Sequence, residues 1–298
     1  MRRWLATPAC LAVLTCLASL AGCGGGLPEG VDGDLTNHWE TPVPALAWRP
    51  LTGVCFDEPR QTAGPDDYAP ISCDEGHLSE TYHVGDLEGP AARAAANQGD
   101  PSAAQLAAYR ECSRAADGFV NGRWRTGLLA IEPVLPDSAG WAGGARWFRC
   151  DIGEADDEGE LVGRVGSLRL ALDDPSIRLG CFNPSIEGEE VTALNPVDCD
   201  RPHHAEFAGL WTAPKMSRRA LNTSSALGKG CLSTIARYTK VPDDSMMKYR
   251  TGWLGFGGSD VAWRAGDRSV QCFLWLSRET ITGSYRGAGP EKLRIHYA

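Results

Sequence analysis

The sequence predicts an α+β protein made of two tandem, homologous, small disulfide-stapled domains, each with a few strands and one main helix. Three observations predict it. The stretch Cys199-Asp200-Arg201-Pro202-His203-His204-Ala205-Glu206 has an earlier copy, Cys73-Asp74-Glu75-Gly76-His77-Leu78-Ser79-Glu80, with the His four and the Glu seven residues after the Cys in both. The cysteines repeat around it: Cys55 precedes Cys73 by 18 residues, Cys181 precedes Cys199 by 18, and each quartet closes with two more, Cys112 and Cys150, then Cys231 and Cys272. The flanks repeat as well, Arg125-Thr126-Gly127 with Arg250-Thr251-Gly252, and Trp141 with Trp263, each nine residues before the last Cys. A period this long implies two copies of a folded unit rather than a solenoid.

The chain opens with Arg2 and Arg3, then an apolar run from Leu5 to Leu20 that is too short and wrongly flanked for a membrane span. Leu20-Ala21-Gly22-Cys23 follows and looks like a bacterial lipobox, so residues 1–22 are read as a lipoprotein signal peptide and Cys23 as the lipidated N-terminus, palmitate among its acyl chains. Residues 23–48 hold three successive glycines and several prolines and read as a flexible tether. The expected location is the extracytoplasmic face of the cell membrane, with the membrane as a partner through the lipid. The net charge of -9 becomes -11 once the two arginines leave with the signal, 27 basic against 38 acidic residues. Such a surface repels nucleic acid, which is not expected as a partner.

Setting aside Cys10, Cys16 and Cys23 leaves eight cysteines, four per repeat, and an even count in an oxidising compartment reads as disulfides. Four cysteines allow three pairings, and the sequence does not choose among them. Duplication requires the same pairing in both halves, and neighbours are expected to pair: Cys55 with Cys73, Cys112 with Cys150, Cys181 with Cys199, Cys231 with Cys272. The competing reading, zinc held by Cys and His, lacks a paired Cys-x2-Cys spacing.

Within the first repeat (49–174), Thr81 to Val84 has strand character and puts the His/Glu motif on a turn entering a strand. Asp100-Pro101 offers an N-cap and a first-turn proline for a helix over Ser102 to Ala116, with Gly118 just beyond. Its counterpart in the second repeat (175–298) runs from about Ser224 to Tyr238. Beyond each helix come short apolar runs, 127–134 and 252–256, and strand-like segments around the last Cys, Trp147 to Cys150 and Val270 to Trp275. Gly166-Ser167 and Gly283-Ser284 stand in the same relation after the last Cys of each half, and Asp173-Asp174-Pro175 marks the boundary.

His77 with Glu80, and His203 with Glu206, carry the chemistry of acid/base pairs or metal ligands. A metal needs three or four ligands and each motif supplies two, so the preferred role is structural, each pair fixing the turn beside its Cys. His204 has no partner in the first copy, where Leu78 stands. Ser245-Met246-Met247-Lys248 matches a Ser-x-x-Lys nucleophile motif, but too little chain follows for that domain. Glu154, Asp156, Glu158 and Gly159 fit the start of a calcium loop, yet Val165 stands where the closing Glu belongs. Gly255-Phe256-Gly257-Gly258 lacks the Lys-Ser/Thr of a phosphate loop and reads as a turn. No catalytic residue, metal or cofactor is expected.

The Cys-x3-His-x2-Glu motif, an apolar strand, a helix bearing a Cys, and Trp-x-x-Gly before a final Cys together resemble the actinobacterial septum-formation domain family. The second copy, Val197 to Glu206, is the closer match, with Pro202 before the His where the first copy has Gly76. The resemblance covers most of residues 50–282 and implies an envelope protein associated with septum formation. The expected function is a non-enzymatic, membrane-anchored lipoprotein that acts as a binding or scaffold module for an envelope protein. The alternatives are a receptor for peptidoglycan, stacking some of its ten tryptophans on sugar rings, and a metal-dependent wall hydrolase using His203 and Glu206.

Overall fold

The computed structural model describes residues 48–93, 102–156, 159–188, 190–277 and 279–296. The signal segment, Cys23 and all of the tether but Trp48 lie outside the described residues, as do Asp100, Pro101 and Glu158. Among the described residues no helix is long and apolar enough to cross a membrane.

Two five-stranded sheets carry the fold. The first half supplies β1 (Val54–Phe56), β2 (Thr62–Ala63), β3 (Ser79–Asp86), β4 (Leu129–Pro136) and β5 (Trp147–Glu154), with helices α1 (Gly89–Arg93), α2 (Ala103–Phe119) and α3 (Ser138–Ala142). The second supplies β6 (Cys181–Glu187), β7 (Glu190–Val197), β8 (Ala205–Thr212), β9 (Gly252–Gly257) and β10 (Ser269–Trp275), with α4 (Arg218–Thr223), α5 (Ala226–Thr239), α6 (Asp260–Ala265) and α7 (Gly289–Lys292). The sheet orders are β1-β3-β5-β4-β2 and β7-β6-β8-β10-β9, so four positions run alike, β1-β3-β5-β4 against β6-β8-β10-β9. These shared pairings are all antiparallel. A bulge falls at the same place in both, between Thr81 and His83 on β3 and opposite the Cys272/Phe273 step on β8.

Strands therefore dominate each half, against the expected few. The hairpin β6–β7 was hidden by its composition: Pro184, Glu187, Glu190 and Pro196 read as loop. The structure tolerates them because only Cys181 and Phe182 of β6 pair with β8, leaving the rest as an outlying ribbon whose side chains, Leu194 apart, are exposed or half-buried. The fifth strands differ, since β2 joins the outer edge of β4 in parallel while β7 lies at the opposite end of its sheet.

Helix α2 starts one step later than the sequence indicates. Ser102 is its N-cap, accepting from Gln105 N while the Gln105 side chain accepts from Ser102 N. This capping box satisfies two otherwise unpaired donors and sets the start. The helix then runs through Gly118 because Ala104, Ala108, Cys112, Ala116 and Phe119 form one buried stripe against the sheet, and that burial outweighs glycine's poor propensity. Its counterpart α5 presents Cys231, Ile235 and Thr239 in the same manner.

The two halves share a core. Ala262 and Ala265 of α6 pack in the same buried cluster as α2, Leu129 and Phe148. Arg125 adds a polar joint: its Nε donates to Asp267 Oδ2 at 2.6 Å and its Nη2 to Tyr109 OH at 2.9 Å, with both charged side chains largely buried. The described residues accordingly belong to one compact unit.

Candidate functional site

Each bridge joins neighbours in the cysteine order: Cys55–Cys73, Cys112–Cys150, Cys181–Cys199 and Cys231–Cys272. The second of each set ties the long helix to an inner strand, α2 to β5 and α5 to β10. The first ties β1 or β6 to the turn that carries the His.

Around that turn the structure builds the same clasp twice. In the first half His77 and Arg164 exchange backbone hydrogen bonds at 3.0 and 2.9 Å, Gly166 N donates to Cys73 O at 2.7 Å, and the Glu80 carboxylate accepts from Ser167 Oγ and Leu168 N, both at 2.8 Å. In the second, His203 and Ile281 exchange bonds at 2.9 and 2.7 Å, Gly283 N donates to Cys199 O at 2.7 Å, and Glu206 accepts from Ser284 Oγ and from Tyr285 N at 2.8 Å. The returning segment after the last Cys is thus sewn to the motif in both halves. Glu206 also accepts from the Tyr238 hydroxyl, whereas the residue seven after the helix Cys in the first half is Phe119. Burial, then the bond to Glu206, pushes the Tyr238 phenol up to about 12.

Both histidines are buried, and each sets its Nδ1 2.8 Å from a carbonyl oxygen two residues earlier, Glu75 O or Arg201 O. A carbonyl only accepts, so Nδ1 donates to it, and Nε2 has no hydrogen-bond partner among the described residues. The groups nearest to a metal constellation are Cys55, Cys73 and Glu80, and Cys181, Cys199 and Glu206. In each the two sulfurs are consumed in the bridge and the carboxylate in the clasp, so no thiolate is available. Neither His/Glu pair forms an open acid/base dyad: Glu80 and Glu206 are 3% and 2% exposed. His204 sets Nδ1 3.2 Å from Leu276 O.

The other motifs resolve into structure. Met247 of the Ser245–Lys248 stretch is buried in the core and Lys248 stacks over Tyr249, with Ser245 on a turn rather than opening a helix. Glu154 is spent on Arg164 at 2.8 Å, and Asp156 Oδ1 accepts from Glu160 N in a tight turn. The stretch Gly255-Phe256-Gly257 lies inside β9, not in a turn, and its first glycine is there for close packing, since a Cβ at Gly255 would sit 3.1 Å from Cys231 Sγ and from Leu227. Arg125-Thr126-Gly127 and Arg250-Thr251-Gly252 do not occupy equivalent places: Cys150 faces Pro133 and Cys272 faces Gly255, which aligns Gly252 with Ala130. Trp141 and Trp263 are structural, each on a short helix and under an arginine four residues before the last Cys, Arg146 at 4.2 Å and Arg268 at 4.4 Å. The repeated Arg-x3-Cys was the signal that would have found those stacks.

The sheet faces turned away from α2 and α5 carry two cavities of about 330 and 320 Å³. The larger lies where the halves meet, walled by Phe182, Leu194, Phe256 and Phe273 of the second half and by Leu129 and Ala155 of the first. The one on the first sheet sets Ser79, Glu132 and Asp151 among apolar neighbours, Ile131, Ile152 and Leu161.

A family model described as "Septum formation" matches residues 52–272, a stretch that spans both halves. No curated protein matches the chain, and no solved structure does.

Proposed function

From a chain that belongs to the septum-formation family, we infer a non-enzymatic envelope lipoprotein, anchored through Cys23 to the extracytoplasmic face of the cell membrane, that serves septum formation as a binding or scaffold module. Family membership ties the chain to septum formation, a step of cell division. The observation that carries the non-enzymatic reading is the double clasp. The motif with catalytic chemistry that both halves carry, His77/Glu80 and His203/Glu206, is buried and its carboxylates are saturated by Ser and backbone donors. A frame needed twice is built twice. The reading of residues 49–174 and 175–298 as tandem copies is supported by the common strand order, the common bulge and the common clasp.

The test is made in cells. Fluorescently tagged full-length protein is expected to concentrate at division sites and to fractionate with membranes, and Cys23→Ala is expected to release it from them. Even distribution, with unaltered septation after deletion of the gene, would overturn the septal reading. Retention of Cys23→Ala in the membrane fraction would overturn the anchor.

A further inference from the structure

Thr81, Asp151 and Glu132 stand in one row across β3, β5 and β4, each directly opposite the next. In the second sheet the same row is Phe207, Phe273 and Leu254. One half thus buries Phe where the other sets two carboxylates face to face, an arrangement that repels in an antiparallel pair. Asp151 is 4% exposed; its Oδ1 accepts from Thr81 Oγ1 at 2.6 Å, while its Oδ2 lies 2.9 Å from Arg149 Nη2 in an ion pair without a hydrogen bond. Ser79, at 3% exposure, also has its Oγ without a partner. Ser79 Oγ is thus a buried polar group left unsatisfied, and both residues line the 320 Å³ cavity.

The charges around the cavity define what would complete it. Asp151 and Glu132 bring two negative charges and Arg149, whose guanidinium lies over the Phe56 ring at 4.0 Å, returns one positive charge. Arg60 at the mouth is engaged by Glu58 at 3.2 Å and Asp67 at 3.8 Å. One negative charge is left over once Glu132 is ionised, and a cation bound beside it favours that form. Glu132 is exposed as a residue, yet the walls crowd its carboxyl: desolvation first, then the charge of Asp151, push it up to about 7. A hard divalent ion would want six or more oxygens, and the row supplies three acceptor groups. An ammonium carries three donors and one charge. Leu161 and Pro59 complete the lining with apolar surface.

We propose that this cavity is a binding site for a small alkylammonium ligand, its ammonium held by Glu132, Asp151 Oδ2 and Ser79 Oγ and its aliphatic stem laid against Leu161 and Pro59. The second half cannot bind the same ligand, because Phe273 and Leu254 replace both carboxylates.

The experiment titrates isotope-labelled full-length protein with n-pentylammonium chloride and, at matched ionic strength, with pentan-1-ol, following backbone amide shifts by NMR. Saturating shifts clustered at Ser79, Gly153 and Leu161 are expected for the amine, with the alcohol at least about tenfold weaker, as loss of charge-assisted hydrogen bonds requires. Glu132→Gln, at an exposed position, is expected to weaken the amine by a similar factor and leave the alcohol unchanged. The double variant Arg149→Gln with Asp151→Phe, carrying the second sheet's residues, is expected to abolish binding. Equal affinity for amine and alcohol, shifts scattered over surface carboxylates, or no response to Glu132→Gln would each overturn the proposal, whether or not the double variant folds.

Discussion

The two halves of the molecule agree in their frame and differ in what they bury. The bridges, the bulge, the clasp on Glu80 or Glu206 and the arginine over Trp141 or Trp263 recur in both. The packing between helix and sheet has been exchanged instead. Gly85 on β3 makes room for Phe148 and Glu111, whereas its counterpart Trp211 on β8 fills a space vacated by Gly230 on α5, whose added Cβ would meet the indole at 2.2 Å. A large residue moved from one partner to the other while the volume stayed filled, as close-packed interiors demand. On the far face no such conservation of character holds: the row Thr81, Asp151, Glu132 is polar and the row Phe207, Phe273, Leu254 is not. A fold thus tolerates divergence where a face can be filled in more than one way, and holds fixed the groups whose hydrogen bonds have a single geometry.

The largest expected effect breaks the polar row. Asp151→Ala leaves Arg149, 1% exposed, as an uncompensated buried cation, and is expected to cost about 3–5 kcal/mol of unfolding free energy. Replacing the pair by the second half's own residues, Arg149→Gln with Asp151→Phe, removes both charges and is expected to be neutral or to stabilise by about 1–4 kcal/mol. Urea denaturation of the two variants side by side checks this. A double variant as damaged as Asp151→Ala would mean that the faces are not interchangeable.

Next come the bridges between helix and strand. Cys112–Cys150 and Cys231–Cys272 span 38 and 41 residues, and chain-entropy arguments assign each about 2–4 kcal/mol. Replacing either pair by Ala is expected to lower the stability by similar amounts. A loss more than about 2 kcal/mol greater in one half would break the equivalence of the frames.

The cysteine framework was legible because covalent pairing depends on spacing, and spacing repeats visibly. The clasp was half legible: Cys, His and Glu stood out, and so did Gly166-Ser167 and Gly283-Ser284, but only the fold brings those serines across 87 and 78 residues to the carboxylates. The arginine stacks were missed because two arginines at equal offsets from a Cys look like surface charge. The polar row was invisible for a different reason. Thr81, Asp151 and Glu132 become neighbours through strand register, which a bulge on β3 shifts by one residue. The join between halves was invisible too, since nothing around Arg125 marks Asp267 as its partner.

That join gives the third expected effect. Arg125→Ala deprives Asp267 of its guanidinium, 2.6 Å away, and Tyr109 of a donor. Burial alone would raise the Asp267 carboxyl, and Arg125 with the Ser269 backbone N–H holds it below its usual value instead. A destabilisation of about 2–3 kcal/mol is expected. Calorimetry is the decisive reading, because a single transition that divides into two in the variant would show Arg125 coupling the halves, and an undivided one would assign the coupling to the α2–α6 core.

The smallest effect concerns the one difference inside the clasp. Tyr238→Phe removes the third donor from Glu206 and leaves Ser284 and Tyr285 N, which is the complement that Glu80 has from Ser167 and Leu168. The cost is expected to be about 1–2 kcal/mol at neutral pH. The alkaline limb separates this bond from mere packing. The folded phenol, raised to about 12, keeps its proton where an unfolded tyrosine has lost it. Its stabilising contribution is therefore whole below about pH 10 and is lost as pH rises toward 12. Tyr82 and Tyr109 in the first half are raised as well, chiefly by burial, so the wild-type slope has contributions from both halves. Tyr285 in the second half is raised by burial too, so Tyr238→Phe is expected to remove only the Tyr238 share, of order 1 kcal/mol after solvent screening. If the slope of the variant matches the wild type, the hydroxyl is not tied to Glu206 and the two clasps are equivalent already.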